Sequence, residues 1–291
     1  MESIGVTSPA GYRVVKLASG AHSVHSLAHA ETFHPVIGPV AEAQALYVRQ
    51  LRLLERLERH TGEFVIWDVG LGAAANPVTV LRATQSLRRS IQLVSFDHTL
   101  EPLEFALANT QHLDYLIGYE APLKALLQDR HTAFETGEQK VRWEVHLADF
   151  PGLLTQPAAK SLPKPHAIMF DAFSPAKNPT MWTQPVFAHL FQLLDPARAC
   201  ALPTYSRSTM LRVTLLLAGF FVGVGQATGE KEETTIAANR LELIEQPLDR
   251  RWLERARRSN SAEPMWEPVY RQAPLAADTW SRLQQQAQFN G

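Results

Sequence analysis

The sequence has a single cysteine, almost balanced charge and no long hydrophobic run. Because one cysteine cannot form an intramolecular disulfide or a cysteine-rich zinc site, we expect a protein of a reducing compartment. A formal net charge of −1 argues against a strongly basic nucleic-acid coat, although a local basic patch fits within a neutral total. The apolar runs are shorter than the roughly 20 residues that span a bilayer, and the N-terminus lacks an apolar signal segment. These features predict a cytoplasmic protein without membrane contact.

The chain has 291 residues, 45% of them hydrophobic, and can bury one large core or two smaller ones. Short apolar runs alternate with segments of helical periodicity, which predicts an α/β fold with a mostly parallel sheet. The last two strands, joined by the polar segment 225–231, predict an antiparallel hairpin at the sheet edge. The predicted strands are 64–69, 91–96, 141–147, 166–170, 197–202, 220–224 and 233–238. The predicted helices are 77–87, 101–110, 182–194 and 209–218.

Other segments lie outside this alternating pattern. Residues 11–27 alternate weakly around Ser19-Gly20 and predict a hairpin, and leucines at helical spacing over 41–59 predict an amphipathic helix. Segment 111–139 interrupts the strand-helix alternation and is interpreted as an insertion. From residue 247 the chain is rich in Arg, Gln and Pro and predicts a peripheral wrap or partly ordered tail. The predicted division is an N-terminal extension 1–60, a core domain 61–240 and a tail 241–291.

A glycine-containing loop follows the first predicted strand of the core and reads Asp68-Val69-Gly70-Leu71-Gly72-Ala73-Ala74-Ala75-Asn76-Pro77. Gly70 and Gly72 allow a tight turn and close backbone approach, and the next helix presents free N–H groups to a ligand. The spacing also fits the G-x-G-x-x-A pattern of dinucleotide enzymes, and such glycines occur in ordinary strand-to-helix turns. The loop alone therefore leaves the ligand open.

Four predicted strands end at or beside an aspartate, namely Asp68, Asp97, Asp149 and Asp171. An acid at the end of the second strand can accept hydrogen bonds from both hydroxyls of a ribose. Phe150, next to Asp149, offers a surface on which an adenine can stack. Aspartate also ends strands and caps helices for structural reasons, but a row of four along one sheet edge favours a cofactor site.

Asp171 closes an apolar strand and is followed by a loop that contains Pro175 and Pro179. The two prolines prevent regular pairing, so the chain leaves the sheet as a stiff loop. In open α/β sheets ligands bind beyond the carboxyl ends of the strands, which predicts that Asp171 faces a cleft. A purely structural role for the proline loop is the alternative.

The run Asp171-Ala172-Phe173-Ser174-Pro175-Ala176-Lys177-Asn178-Pro179, with Met181-Trp182-Thr183, resembles the signature of the MnmC-like methyltransferases. Glu31-Thr32-Phe33-His34-Pro35-Val36-Ile37-Gly38, followed by Glu42, is similar to a second segment of that family. The resemblance spans about 12–239 and implies a class I, Rossmann-like fold that uses S-adenosyl-L-methionine and methylates an aminomethyl-uridine at the tRNA wobble position. The cofactor-binding residues that it implies are Asp68, Gly70, Gly72, Asn76, Asp97, Asp149 and Phe150.

Three features differ from the family pattern. Ala74 stands where the family commonly has the third glycine of Gly-x-Gly-x-Gly-x-Asn, and an alanine methyl fits there if φ is negative. Segment 205–212 only loosely resembles the family's Gly-Phe-Val-Arg-Arg stretch. Bifunctional members carry a flavin-dependent domain, and none fits after residue 240. We therefore expect a stand-alone methyltransferase with a separate FAD-dependent oxidoreductase as partner.

Methyl transfer to an amine needs a neutral nitrogen held close to the methyl carbon, which suggests a role for Asp171. Its carboxylate can accept a proton from the amine or orient an N–H group, so Asp171 is the predicted catalytic residue. The ring of Phe173 can stack on a uracil, and backbone carbonyls of the loop can hold the amine. The predicted substrate-binding residues are Phe173, Ser174, Pro175, Lys177 and His34.

Histidines and arginines offer two further readings. The histidines lie close together in sequence, but neither cysteines nor an acid cluster complete a recognisable site, so no metal is predicted. His34 is instead interpreted as covering the cofactor or substrate. The histidines concerned are His22, His25, His29 and His34.

The arginine clusters 49–59 and 250–258 either bind RNA phosphates or form solvated helix faces.

The leading hypothesis is thus a tRNA aminomethyl-uridine methyltransferase. The alternatives are a methyltransferase that acts on a small-molecule amine, an NAD-dependent oxidoreductase, and a non-catalytic protein that has kept the fold. Whether the chain binds S-adenosyl-L-methionine or NAD separates the two methyltransferase hypotheses from the oxidoreductase hypothesis.

Overall fold

The computed structural model describes residues 2–7, 11–228 and 232–290, and for 2–7 the backbone alone. The start of the predicted extension 1–60 and part of the predicted link 225–231 therefore lie outside the described residues. The chain forms two compact units. Unit 1 comprises Met1–Asp149, Met169–Asp171 and Ala227–Glu232. Unit 2 comprises Phe150–Ile168, Ala172–Gln226 and Glu233–Gly291.

The described elements are numbered in chain order. The strands are β1 Glu2–Thr7, β2 Tyr12–Lys16, β3 His22–Ser26, β4 Glu31–Thr32, β5 Glu63–Val69, β6 Ser90–Asp97, β7 His131–Thr136, β8 Gln139–Leu147, β9 Ala167–Phe170, β10 Ala201–Thr204, β11 Phe221–Gly225 and β12 Thr234–Ala238. The helices are α1 Pro39–Ala43, α2 Leu53–Arg59, α3 Ala75–Thr84, α4 Glu101–Leu107, α5 Glu120–Asp129, α6 Phe150–Leu154, α7 Gln184–Leu193, α8 Thr209–Ala218, α9 Arg250–Arg257 and α10 Ala277–Gln284.

Unit 1 begins with an antiparallel sheet in the order β1-β2-β3-β4. The hairpin predicted over 11–27 is confirmed, since β2 and β3 pair in register from Tyr12 opposite Ser26 to Lys16 opposite His22. Its turn is closed by the Leu17 N–H bond to the Ala21 carbonyl, and Gly20 takes a left-handed φ of 86° there. The apolar residues Val14, Val15 and Val24 are buried.

The single helix predicted over 41–59 is wrong, because the segment is broken into α1, a π-helical stretch Gln44–Arg49 and α2. The break lies at Arg52, which has a left-handed φ of 50° that no helix interior adopts. The π-helical stretch and the left-handed residue change which side chains face the core. With this change, Leu46 before the break and Leu53 and Leu57 after it are all fully buried. Leucine periodicity alone does not reveal such a register shift.

The core strands of unit 1 are ordered β5-β6-β8-β7. β5 is parallel to β6, β6 is parallel to β8, and β7 is antiparallel to β8. The predicted insertion 111–139 thus contains a helix, α5, and an edge strand, β7, that the sequence did not predict. The side chains of β7 alternate only between exposed and half-buried, so the strand lacks the apolar pattern that marks a buried one.

Unit 2 has the order β11-β12-β10 with the start of β9. β10 is parallel to β9 at Ala201 opposite Ala167, and β12 is antiparallel to both β10 and β11. The predicted edge hairpin is confirmed, and the fold is α/β with a mostly parallel sheet, as predicted. β10 starts four residues later than predicted because Asp195 forms a turn, accepting bonds from the N–H groups of Ala197 and Arg198.

The predicted tail contains two helices, α9 and α10. The Asp249 carboxylate caps α9 by accepting a 2.7 Å bond from the Trp252 N–H, and Trp252, Leu253 and Ala256 are buried. The domain boundaries proposed near 60 and 240 stay a prediction. Among the described helices, none has the length and apolar character required to cross a membrane.

Candidate active site

The carboxyl ends of the strands in unit 1 are joined by backbone hydrogen bonds beyond the regular ladders. The Gly70 N–H donates to the Phe96 carbonyl, the Asp171 N–H to the Val69 carbonyl and the Ala148 N–H to the Asp97 carbonyl, each at 2.9 Å. These bonds hold the chain just after β5, β6, β8 and β9 at one edge. The predicted residues Asp68, Asp97, Asp149 and Asp171 therefore all lie at this edge, and Asp149 is the exposed one.

The glycine loop between β5 and α3 reverses direction through left-handed residues. Gly70 and Gly72 have φ of 93° and 50°, and a side chain on Gly72 would have its Cβ 3.2 Å from the Phe33 ring. Ala74 is also left-handed, with φ of 58° and ψ of 21°, immediately before α3. The condition of a negative φ under which alanine would fit is therefore not met, because the chain has a left-handed residue before the helix even with alanine at this position.

The Asp97 carboxylate connects the glycine loop to the end of β6. Its Oδ2 accepts a 2.9 Å bond from the Gly72 N–H, and its Oδ1 accepts a 2.8 Å bond from the His98 N–H. The His98 Nδ1 lies 3.1 Å from the same Oδ1, and this hydrogen bond, opposed by burial, raises the pKa of His98. Asp97 is thus held in one orientation from two sides.

Asp68 is a fully buried carboxyl beneath the glycine loop. Its Oδ2 accepts a 2.7 Å bond from the Ser95 hydroxyl, which in turn accepts a 2.9 Å bond from the Trp143 indole N–H. Its Oδ1 has no hydrogen-bond partner within the described part of the chain. Burial raises the pKa of Asp68 to about 7, the Ser95 bond acts against this rise, and the negative charges of Asp171 and Asp97 add to it.

Asp171 lies in a cluster of four polar side chains, all of them in unit 1. Its Oδ2 accepts a 2.8 Å bond from the Asn76 amide, and the His34 Nε2 lies 3.5 Å from the same oxygen. The other ring nitrogen of His34, Nδ1, lies 3.5 Å from Glu42 Oε1. Burial alone would lower the pKa of His34, but the charges of Asp171 and Glu42 raise it to about 9. His34 is therefore an imidazolium at neutral pH.

His34, Glu42 and Asp171 each bring a potential metal-ligating atom within 4.8 Å of the others. The imidazole, however, turns a different nitrogen to each carboxylate, so its two interactions point in opposite directions. Metal ligands converge on one point, whereas this arrangement is that of an ion-paired cluster.

The remaining predicted residues belong to unit 2. Phe150 begins α6 and is buried. The proline loop is fixed by its own unit: the Trp182 indole N–H donates to the Phe173 carbonyl at 2.7 Å, and the Tyr205 hydroxyl to the Ala172 carbonyl at 3.2 Å. The Ser174 carbonyl accepts bonds from the N–H groups of Lys177 and Asn178. Pro175 is half-buried and the Lys177 side chain is exposed.

Sequence reasoning assigned no role to Glu42 or Ser95. Glu42 follows the segment that is similar to the MnmC-like methyltransferases, and this position is the sequence signal for a role of Glu42 in the site. Ser95 carries no local signal, because its function depends on two residues, Asp68 and Trp143, that the sheet brings beside it.

Comparison with known proteins indicates the class of enzyme to which the chain belongs. A family model described as S-adenosyl-L-methionine-dependent methyltransferase matches residues 119–240. The "tRNA 5-methylaminomethyl-2-thiouridine biosynthesis bifunctional protein MnmC" of Aeromonas hydrophila is 28% identical over 230 residues, which cover 74% of this chain and 34% of the relative. The chain is an S-adenosyl-L-methionine-dependent methyltransferase, and it resembles the MnmC proteins. It spans about a third of the length of the curated relatives that it matches.

Solved structures support the fold of this methyltransferase. The MnmC2 structure from Aquifex aeolicus superposes with a TM-score of 0.66 at 20% identity, covering 97% of this chain and 84% of that one. The spermidine synthase structure from Thermotoga maritima superposes with a TM-score of 0.50 at 12% identity, covering 97% and 87%. At these identities the likeness concerns the fold, which is that of class I methyltransferases.

The residues at the carboxyl edge fit the cofactor of this methyltransferase. S-adenosyl-L-methionine carries an ammonium group, and both Asp68 Oδ1 and Asn76 Oδ1 are buried acceptors without a hydrogen-bond partner within the described part of the chain. The Phe33 ring packs close to the Gly72 backbone, and α3 begins directly behind the loop with N–H groups suited to a carboxylate. Donor and acceptor chemistry therefore agree with the amino-acid end of the cofactor.

The left-handed Ala74 yields a prediction about stability. Ala74→Gly and Ala73→Gly each remove one buried methyl and add the same backbone freedom, but Ala74 alone is left-handed. We expect Ala74→Gly to be less destabilising than Ala73→Gly by about 1 kcal/mol, the strain of one left-handed alanine. Urea unfolding of both variants measures this difference, and equal losses would contradict the strain.

The buried Asp68 yields a prediction about pH. Its folded-state pKa lies above the ordinary value of 3.8, so the unfolded chain ionises first and stability falls as pH rises from about 4 to about 7. In Asp68→Asn this loss is absent, and the free energy of unfolding should decline less over this window by on the order of 2 kcal/mol. Denaturant titrations at pH 4.5 and 7.5 test this, with the exposed Asp114→Asn as control. Parallel pH dependences of wild type and Asp68→Asn would refute it.

Proposed function

We propose that this methyltransferase transfers a methyl group to the aminomethyl nitrogen of a wobble-position 5-aminomethyl-(2-thio)uridine in tRNA. The observation that carries the proposal is the fixed carboxylate of Asp171 at the same edge of unit 1 as the glycine loop. An acid held there is suited to an amine acceptor. The printed name of the Aeromonas relative, which refers to 5-methylaminomethyl-2-thiouridine in tRNA, supports the choice of acceptor.

The proposed acceptor is an alkylamine, and alkylamines are mostly protonated at neutral pH. Its ammonium would donate one proton to the Asp171 carboxylate, giving a neutral amine with a free lone pair and a carboxylic acid. When bound, S-adenosyl-L-methionine would supply an electrophilic methyl group on a sulfonium, which the neutral nitrogen can accept. Asp171 then returns its proton to solvent.

Residues of unit 1 would hold the cofactor. Asp68 and Asn76 offer unpartnered oxygens for the ammonium group, and Gly70 and Gly72 supply the left-handed turn that exposes the loop backbone to a ligand. Asp97 would accept the ribose hydroxyls. Asp149 and Phe150 follow each other in the chain and would contact the adenine amine and ring.

The proline loop of unit 2 would position the uridine. Its carbonyls at Phe173 and Ser174 accept hydrogen bonds from within unit 2, which makes the loop rigid. A rigid loop can present the Phe173 ring for stacking on a base with little loss of entropy. Pro175 limits the loop's conformations further, and the exposed Lys177 can reach a phosphate.

A basic surface of unit 2 supports a polyanionic substrate. Segment 249–258 has five arginines against two acids, and all five are exposed. Arg250 donates to the Phe289 carbonyl and Arg257 lies over the Trp280 ring at 4.9 Å. The other three, Arg251, Arg255 and Arg258, share one helix face and make no hydrogen bond or ion pair with the described residues. We call these three residues the arginine face.

The arginine face is adjacent to further positive charge. Burial lowers the pKa of Arg212, its pairing with Glu233 raises it, and repulsion from Arg255 and Arg207 lowers it further. Arg207 and Arg255 thus each lie close enough to the buried Arg212 to repel it. Phosphates at Arg207 and Arg255 would offset this repulsion, so the surface around them suits an RNA backbone.

The aminomethyl group must come from another reaction. A separate FAD-dependent oxidoreductase stays a prediction as the partner that would supply the free amine.

Asp171→Asn tests the proposed chemistry. We expect methyl transfer to fall by about 10²–10⁴-fold because the amide cannot take the proton, while cofactor affinity stays within a few-fold. The assay incubates protein, S-adenosyl-L-methionine and tRNA from cells that lack the modification, and detects 5-methylaminomethyl-uridines by nucleoside mass spectrometry. The exposed Asp278→Asn is the matched control and should retain full activity. Undiminished turnover in Asp171→Asn would exclude a catalytic role.

The same assay separates the alternative substrates. Methylation of small alkylamines but not of tRNA would favour a small-molecule methyltransferase. Calorimetry with S-adenosyl-L-methionine and with NAD provides the cofactor control, and we expect heat of binding from the former alone.

The arginine face gives a second prediction for this function. Arg255→Ala with Arg258→Ala should weaken tRNA binding about tenfold at moderate salt and reduce the slope of log affinity against log salt by about two. The control pair is Arg59→Ala with Arg88→Ala, which removes the same charge from arginines already paired with Glu55 and Glu138. Equal effects of the two pairs in filter-binding assays would show that only net charge matters.

A further inference from the structure

His34 has an unusual combination of backbone and charge. Its φ is 48°, a left-handed conformation that is uncommon for residues other than glycine. Only 8% of its side chain is exposed, and the ring lies between two carboxylates at 3.5 Å on either side. The fold therefore maintains both backbone strain and a buried charge at this position. Such strained residues cluster at functional sites.

The charges around His34 come from several elements of unit 1. Glu42 belongs to α1, Asp171 follows β9, and Asp68 in β5 is close enough to Asp171 for its pKa to be raised by it. Tyr47, in the π-helical stretch, places its hydroxyl 3.4 Å from the Phe170 carbonyl, next to Asp171. Of the titratable groups just named, His34 is the one that can carry positive charge.

Asp171 is thus held at one oxygen by a hydrogen bond from Asn76 and by an ion pair with His34. The neutral Asn76 amide fixes the direction of Oδ2 at 2.8 Å, and the His34 ring brings a positive charge to the same atom. Glu42 holds the ring from its far side and favours its protonated form. Asn76 supplies geometry without charge, whereas His34 supplies both.

We propose that His34 is a positioning residue whose imidazolium, maintained by Glu42, keeps Asp171 ionised and oriented to receive the substrate ammonium. This inference rests on the proposed function, because it specifies how the proposed base is prepared. Without the imidazolium, the neighbouring Asp68 would favour a protonated Asp171, which cannot accept a proton from the amine.

The proposal predicts a pH profile with two limbs. The acidic limb reports ionisation of the base, and the alkaline limb reports loss of the His34 proton as pH rises through about 9. Removing the His34 charge should move the acidic limb to higher pH. Removing the Glu42 charge should move the alkaline limb to lower pH, because the imidazolium is less stabilised.

The first test is NMR titration of the His34 ring in the protein without ligands. We expect the ring to titrate well above the ordinary histidine value of about 6.5, and its midpoint to fall by about one pH unit or more in Glu42→Gln. His131, an exposed histidine of β7, is the internal reference whose midpoint should not change. A His34 midpoint at or below the ordinary value would overturn the proposal.

The second test uses His34→Asn, because asparagine tolerates the left-handed backbone and removes only the ring and its charge. We expect the acidic limb of kcat/KM for tRNA methylation to move up by about one pH unit, and the alkaline limb assigned to His34 to be absent. His131→Asn is the control. An acidic limb at the wild-type position in a folded His34→Asn protein would also overturn the proposal.

The two tests keep the hypotheses apart. The NMR titration needs neither cofactor nor acceptor, so it stands even if tRNA proves not to be the substrate. Absence of methylation by the wild type would contradict the proposed function, whereas a normal titration of His34 in an active enzyme would contradict this inference alone.

Discussion

Accumulation of negative charge at one sheet edge is the constraint on which the rest of this structure depends. Asp68, Asp97 and Asp171 end up there because parallel strands finish side by side, and Glu42 is brought close by α1. Burial makes such crowding costly unless donors or protons offset it. The chain uses a different solution for each acid: a serine hydroxyl for Asp68, backbone N–H groups for Asp97, and an imidazolium for Asp171. These distinct environments allow neighbouring aspartates to differ in charge state.

Much of the fold follows from local pattern. The core strands β5, β6 and β8 and helix α8 are strongly apolar and were predicted to within a few residues. The misses share one cause, which is that tertiary context overrides periodicity. β7 is an edge strand whose pattern lacks a buried face, and the break at Arg52 depends on a backbone reversal rather than on composition. The spacing of leucines predicts helical segments but does not reveal where the backbone breaks between them.

The types of residue in the active site could be predicted from the sequence, whereas most of the contacts between them could not. Strand ends and glycines are visible in the sequence, and the motif around Asp171 resembles a known family. Contacts that join residues far apart in the chain are not visible in this way. Asn76 and Asp171 are 95 positions apart, and only the parallel sheet brings the amide onto the carboxylate. Ala74 shows the opposite limit, because the residue type suggested an ordinary φ while the turn demanded a left-handed one.

The bond from the Gly72 N–H to Asp97 has a consequence for how a ligand enters. It fixes the loop against the end of β6 without any ligand, and Tyr115 holds the next residue by donating to the Ala73 carbonyl at 3.1 Å. The incoming molecule thus meets a surface that is already shaped, so little conformational entropy remains to be lost on association. Binding at this loop is then association with a preformed surface rather than folding of the loop around the ligand. Its rate is governed by diffusion and desolvation.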